Sequence, residues 1–241
     1  LCSDILLEDV TFAYTNERDV LKHVSMRIPM GKVTAIIGGN GAGKSTVFKL
    51  LTRLYAPTDG KILFNGENIA DYQLTDWRDE FAYVFQKDPL IGGTVRENIT
   101  YGLDRAVSDE ELIEVAKKAN CYDCIMEKTD GFDADVGLGG SNFSGGQGQC
   151  ISIARAMLRN ADYLLLDEAT SNLDVLSETQ VTEALDHLME NKTTIMIAHN
   201  YAATRNADHV IVMKDGTVEA SGTPEELLKT NEYYQLFSRN L

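Results

Sequence analysis

An α/β fold with a mixed, mainly parallel sheet, an N-terminal antiparallel β-subdomain and an inserted helical subdomain is predicted by three features of the sequence. Two β-rich runs flank a polar turn at the start of the chain. Short β-branched apolar runs alternate with helical patterns towards both ends, and the middle carries helix-like periodicity without a convincing strand.

Ile5–Tyr14 and Val20–Ile28 are strand-like, and Thr15-Asn16-Glu17-Arg18-Asp19 between them reads as a hairpin turn. Lys32–Ile37 is a compact strand closed by glycines, and Lys44–Tyr55 repeats apolar residues at Val47, Leu50, Leu51 and Leu54 as a helix does. Further strands are expected at Lys61–Phe64, Ala82–Phe85, Tyr163–Asp167, Thr193–Ala198, His209–Met213 and Thr217–Ala220. Glu110–Lys118 and Gly146–Leu158 are helical segments within the strand-free stretch from about Thr94 to Arg159. One domain over 1–241 is therefore expected, with a β-lobe and core at about 1–86 and 160–241 and a helical subdomain at about 87–159. Thr223-Pro224-Glu225-Glu226 combines a cap residue, a first-turn proline and early acids, and starts a short helix.

With 44% hydrophobic and 24% charged residues the chain has the balance of an ordinary globular protein. Its 22 Lys+Arg against 37 Asp+Glu give a formal charge of -15, which repels a nucleic-acid backbone, so no nucleic-acid partner is expected. No apolar run approaches the ~20 residues that span a bilayer, so this segment is not expected to insert directly. Leu1 stands where an initiator methionine would, which points to a piece of a longer chain. Cys121 and Cys124 form C-x-x-C without a second ligand pair at zinc spacing, and residues three apart on a helix meet for packing alone.

Gly38-Gly39-Asn40-Gly41-Ala42-Gly43-Lys44-Ser45-Thr46 fits G-x-x-x-x-G-K-[ST], between a strand and a helix as that pattern requires. Such a loop turns backbone N–H groups towards phosphates and adds the helix N-terminus, which predicts a phosphate-loop NTPase core. Lys44 is placed for the β- and γ-phosphates and the Ser45 hydroxyl for Mg²⁺. The apolar run Tyr163-Leu164-Leu165-Leu166 ends in Asp167-Glu168, two carboxylates at a strand's C-terminal end, where ligands gather in open α/β sheets. Asp167 suits the magnesium water shell and Glu168 the attacking water, although such a pair standing alone reads more readily as a helix-starting turn.

Ser144-Gly145-Gly146-Gln147 resembles the signature of the ATP-binding cassette family, and the remaining ordered motifs of that family follow over the whole chain. They are the phosphate loop, Gln86, the signature, Asp167 with Glu168, the aspartate loop Ser171-Asn172-Leu173-Asp174, and His199. The resemblance implies that ATP and Mg²⁺ bind, that Glu168, His199 and Gln86 are catalytic, and that Ser45, Gln86 and, through water, Asp167 serve the metal. It also implies that Tyr14 stacks on adenine, and that Ser144 to Gln147 close over a triphosphate held by a second nucleotide-binding domain. Read without the family, Ser144–Gln147 is a plain helix cap, His199 a surface histidine and Tyr14 a half-buried strand aromatic.

Gly93-Thr94-Val95-Arg96-Glu97-Asn98-Ile99 resembles a segment of exporter-type cassettes. That implies a motor at the cytoplasmic face of a membrane, working with a transmembrane domain that selects the cargo. Phe143, Gly148, Cys150, Leu138 and Asn200 depart from the exporter pattern. Gly148 and Cys150 stand where basic residues are common, so the signature lent to a partner is expected to close less tightly, by a few tenths to about 1 kcal/mol per lost charge. Leu138 replaces a glutamate in the loop that communicates with membrane helices, and an identical or a different partner chain stays open.

Overall fold

The computed structural model describes residues 3–15, 17–85, 90–167 and 172–240, and Gln86, Glu168 and Ser171 lie outside them. In chain order the elements are β1 (Ile5–Ala13), β2 (Asp19–Ile28), β3 (Val33–Gly38), α1 (Lys44–Leu51), β4 (Asp59–Phe64), β5 (Glu67–Asn68), α2 (Leu74–Asp79) and β6 (Phe81–Phe85). Then follow α3 (Val95–Thr100), α4 (Asp109–Lys118), α5 (Tyr122–Met126), α6 (Gly145–Arg159), β7 (Tyr163–Asp167) and α7 (Val175–Met189). The chain ends with β8 (Thr193–Ile197), α8 (Tyr201–Thr204), β9 (His209–Lys214), β10 (Thr217–Gly222), α9 (Pro224–Thr230) and α10 (Glu232–Phe237). Two compact units result, one of Leu1–Phe81, Asp162–Leu165 and Lys192–Leu241, the other of Ala82–Ala161 and Leu166–Asn191.

In the first unit β1 pairs antiparallel with β2 and with β4, giving a sheet of order β2-β1-β4-β5. Ile5 and Leu7 point into its core, and the register then shifts at Asp9, whose φ is 48°. A residue added at that bulge returns Val10 and Phe12 to the buried face, so apolar burial survives a break in strict alternation. The other sheet has the order β10-β9-β3-β8-β7-β6, with β3 parallel to β8 and β9, and β10 antiparallel to β9. Ala35, Ile37, Val210 and Val212 on these strands pack with Leu227 of α9 and Tyr234 of α10. The single tryptophan, Trp77, is enclosed by Phe64, Tyr72 and Phe81, and its indole N–H donates to the Leu51 carbonyl at 2.7 Å.

Helix α1 stops short of the expected Tyr55. Thr52 is its C-cap and Arg53 turns left-handed at φ 56°. The Arg53 guanidinium donates to the carbonyl of Tyr72 at 2.7 Å and of Ala70 at 3.3 Å, so the side chain that would continue the helix anchors the next segment.

The second unit is built from α3 to α7, and its helices begin where the sequence supplies reciprocal caps. Thr94 with Glu97, Ser108 with Glu111 and Ser144 with Gln147 each form a capping box. Asn98, only 1% exposed, donates to the carbonyls of Ile91 and Thr94 and accepts from the Ile91 N–H at 2.8 Å. Arg155 of α6 donates to the Asn98 carbonyl at 2.8 Å and to its side-chain oxygen at 3.1 Å, so the segment from Ile91 to Thr94 is fastened to α3 and α6 together. Such a satisfied buried network fixes one arrangement, since each broken bond would strand a desolvated group.

Candidate functional site

The phosphate loop lies in the first unit, between β3 and α1. Gly43 caps α1 at φ 99°, and a Cβ there would sit 2.6 Å from Leu21 Cδ2 and 3.3 Å from the Val20 carbonyl, so only glycine closes this turn. The loop is tied from outside as well: Gly216 N–H donates to the Ala42 carbonyl at 3.1 Å, and Lys22 N–H to the Gly216 carbonyl at 2.8 Å. Gly39, Asn40, Gly41 and Ser45 are exposed, whereas Lys44 is 6% and Thr46 5% exposed. Inside the loop the Lys44 ammonium donates to the Gly38 carbonyl and, at 3.3 Å, to that of Gly39. A buried cation ringed by main chain under a glycine rim, at a helix start, is a donor set suited to a polyanion.

Tyr14 follows β1 and is half-buried. Its ring meets Phe12 and Tyr55 edge to face, with centroids 4.9 and 5.2 Å away, and Lys49 Nζ lies 5.3 Å from its centroid. Lys49 also donates to the Tyr14 hydroxyl at 3.1 Å, which joins the ring to the helix that begins at the phosphate loop. A hydrogen bond from Thr46 holds the Tyr14 phenol below its ordinary pKa; burial opposes it as the next largest effect, and the Lys49 ammonium adds to the lowering. Neither Lys49 nor Tyr55 carries a motif, and only contact with Tyr14 reveals them.

His199 is exposed just past β8. Ile36 and Ile197 are register partners and the Ala198 N–H donates to the Ile36 carbonyl at 3.1 Å, so His199 and the phosphate loop leave the C-terminal ends of adjacent parallel strands. Within the first unit the fold therefore gathers Tyr14, Gly38 to Thr46 and His199.

The second unit carries the signature. Ser144 is the N-cap of α6; its hydroxyl accepts from the Gln147 N–H at 3.2 Å, while the Gln147 side-chain oxygen accepts from the Ser144 N–H at 3.0 Å. The hydroxyl thus works as a helix cap and, having accepted, keeps its own proton for donation to an anion. Ser144 and Gly145 are exposed and Gly146 is buried. Asp174 caps α7 in the same unit, accepting from Ser177 N–H at 3.0 Å and from Ser177 Oγ at 2.7 Å, and these bonds, the hydroxyl's first, hold its carboxyl below the usual carboxylate range. Asn172 precedes it at φ 64°, Leu173 is half-buried, and Asp167 is half-buried at the end of β7. Gln149, 6% exposed on α6, donates to the Phe85 carbonyl at 3.1 Å, directly before position 86. The roles expected of Gln86, Glu168 and Ser171 fall outside the described residues.

One expectation is corrected. Cys150 is 1% exposed, and burial pushes its thiol up to about 12, so this position faces the interior of the unit. A missing positive charge there cannot weaken a surface offered to a triphosphate, and the charge-loss reasoning now rests on half-buried Gly148 alone. Cys121 is fully buried and Cys124 donates its thiol to the Cys121 carbonyl at 3.2 Å, as the packing reading of C-x-x-C expects. Leu138 is 95% exposed. Among the described residues, no group of His, Cys, Asp or Glu side chains is arranged to hold a metal by itself, and no helix is long and apolar enough to cross a membrane.

Comparison with known proteins follows the same lines. The family profile described as ABC transporter matches residues 21–171. An uncharacterised ABC transporter ATP-binding protein of Sinorhizobium fredii is 43% identical over 232 residues, which is 96% of this chain and 39% of that protein. An ATP-dependent lipid A-core flippase of Desulfotalea psychrophila is 42% identical over 232 residues, 96% of this chain and 40% of the flippase. Among solved structures, a bacterial Atm1-family ABC exporter with ATP bound superposes with a TM-score of 0.90 at 34% identity, over 98% of this chain and 41% of the exporter. The chain thus spans about two fifths of the length of the relatives it matches.

Proposed function

The chain belongs to the ABC transporter family, and on that premise we propose that it is the ATP-hydrolysing nucleotide-binding domain of an exporter, at the cytoplasmic face of a membrane. The observation that carries the reading is the Lys44 ammonium, buried within the phosphate loop and donating to the loop's own carbonyls. Phosphate oxygens are stronger acceptors than these carbonyls, so the β- and γ-phosphates take over the ammonium's bonds while the loop amides and the start of α1 bind the rest of the anion. Tyr14 offers its ring to adenine, which gives affinity with little base selectivity.

We assign Mg²⁺ to Ser45 and Gln86, with Asp167 acting through water; hard oxygen donors suit that ion, which supplies neutralisation of phosphate charge when bound. Glu168 accepts the proton of the attacking water, and His199, at the strand end beside the phosphate loop, orients the γ-phosphate. Ser144 to Gln147 close over the triphosphate of a second nucleotide-binding domain, with Ser171 to Asp174 lining that contact, so two chains complete two sites. A transmembrane domain, joined or separate, passes the work to the cargo.

Magnesium-dependent turnover of the chain and of Glu168→Gln, with mass measured on adding ATP, tests the reading. Slow turnover in the wild type, its loss in Glu168→Gln and ATP-dependent dimers of that variant are expected. A Glu168→Gln protein that hydrolyses ATP at the wild-type rate refutes the assignment, and a folded wild type that ignores ATP refutes the function.

A further inference from the structure

The two glycines of the signature are small for different reasons. A Cβ on Gly145 would meet nothing nearer than Leu173 Cδ2 at 3.9 Å, an ordinary contact, so its own chain leaves room for alanine there. A Cβ on Gly146 would fall 2.5 Å from Ser177 Cβ, 2.7 Å from Ser177 Oγ and 3.4 Å from Ser177 Cα. No side chain fits at position 146 while Ser177 stays in place. Both residues lie in the second unit, on the first turns of α6 and α7.

Ser177 is also spoken for on its other side. Its hydroxyl donates to one oxygen of Asp174 at 2.7 Å, and its main-chain N–H to the other at 3.0 Å. The carboxylate that caps α7 therefore holds the same side chain that seats Gly146. Leu173, one residue earlier, is the nearest neighbour of Gly145. Residues 173–177 thus lie against the first turn of α6, whose N–H groups have no partner within their own helix ladder, that of Gln147 being taken by the Ser144 hydroxyl.

We propose that Ser177 is a positioning residue for ATP turnover: seated on Gly146 and bonded to Asp174, it locks the anion-facing start of α6 to the turn at 172–174. This rests on the reading of Ser144–Gln147 as the surface lent to a second chain's triphosphate. Closure at the signature then carries residues 172–174 with it, because packed side chains at van der Waals contact transmit displacement rather than absorb it. Ser177 touches no substrate and acts through Gly146 and Asp174.

The test is a compensation experiment on this chain. Gly146→Ala is expected to lower kcat about tenfold or more, the effect of overpacking at a closed contact, while the Kd of the single chain for ATP at its phosphate loop stays within about twofold. Adding Ser177→Gly removes the two atoms the new methyl would strike, and the double variant returns to within about threefold of Ser177→Gly alone. Gly145→Ala also slows turnover, but Ser177→Gly does not restore it. Ser177→Ala, which keeps the seat and loses only the hydroxyl, lowers kcat several-fold at unchanged KM.

Amide hydrogen exchange at 172–178 reads the same contact without any activity: faster in Gly146→Ala than in wild type, and no faster in the double variant than in Ser177→Gly alone. A double variant that falls more than about threefold below Ser177→Gly alone in kcat, or exchanges faster than it, overturns the proposal, and so does Ser177→Ala with wild-type kcat. The expected exchange pattern in proteins that all lack ATP turnover, wild type included, would sink the functional reading and leave the contact standing. If Gly146→Ala fails to fold, a folded double variant supports the seat and Ser177→Ala decides the hydroxyl.

Discussion

Replacing Lys44 with methionine separates what this residue does for the fold from what it does for the ligand. Methionine keeps most of the buried stem and deletes the ammonium, which donates to the carbonyls of Gly38 and Gly39. At 6% exposure the charge has lost nearly all its water, so deleting it leaves part-buried acceptors without their donor. The melting temperature is therefore expected to fall by a few degrees, with the protein still folded. The ligand loses the ammonium as a charge-assisted donor to its β- and γ-phosphates. Removing one partner of a buried, hydrogen-bonded charge pair costs about 2–5 kcal/mol, which converts to a Kd for ATP raised from about 30-fold to several thousand-fold. Titration calorimetry at protein concentrations below dimer formation, paired with a thermal melt, measures both. A folded Lys44→Met protein that binds ATP within about threefold of wild type would refute the assignment of the ammonium to the phosphates.

Tyr14→Ala should weaken ATP binding by about 1–3 kcal/mol, the worth of one aromatic stack, whereas Tyr14→Phe should bind within about threefold of wild type; equal losses in the two would mean that the hydroxyl held by Lys49 matters, not the ring. Trp77→Ala should cost about 3–5 kcal/mol in a urea melt, from an enclosed side chain and an orphaned Leu51 carbonyl, and a loss below about 1 kcal/mol would contradict the packing. Burial pushes the Cys124 thiol up to about 11 and the Cys150 thiol up to about 12, so alkylation by iodoacetamide at pH 8 should be far slower than for a free cysteine, and should accelerate as pH rises towards those values. Complete labelling of Cys124 or Cys150, located by peptide mass mapping of the folded chain, within minutes at pH 8 would overturn that placement.

The motifs were legible because each is short and local. A strand, a glycine turn and a helix start are consecutive in sequence, so the phosphate loop could be read without knowing its surroundings, and the reciprocal cap at Ser144 and Gln147 lies within a single turn. The contacts that hold those motifs were not legible. Lys49 reaches Tyr14 from 35 positions away, and Gln149 reaches Phe85 from 64 positions away. Only packing decides such pairs, and residue type says little about them. The same gap explains the misplaced expectation at Cys150, where a helix face had to be assigned before a lost charge could be given a meaning. It explains α1 as well: its apolar spacing runs on to Leu54, but Arg53 finds better partners in two distant carbonyls than in another helical turn.

A glycine in a motif invites one explanation, and the signature shows that two are needed. Gly145 is exposed and has clearance from its own chain, so its size can be set by what arrives from outside. Gly146 is buried against Ser177, so its size is set by the fold, and an alanine there would act first on α7 and Asp174. A loss of turnover from substituting either glycine looks the same in a steady-state assay. The two causes part only when Ser177 is changed as well, because a clash between two side chains is relieved from either side, whereas steric exclusion of a phosphate is not.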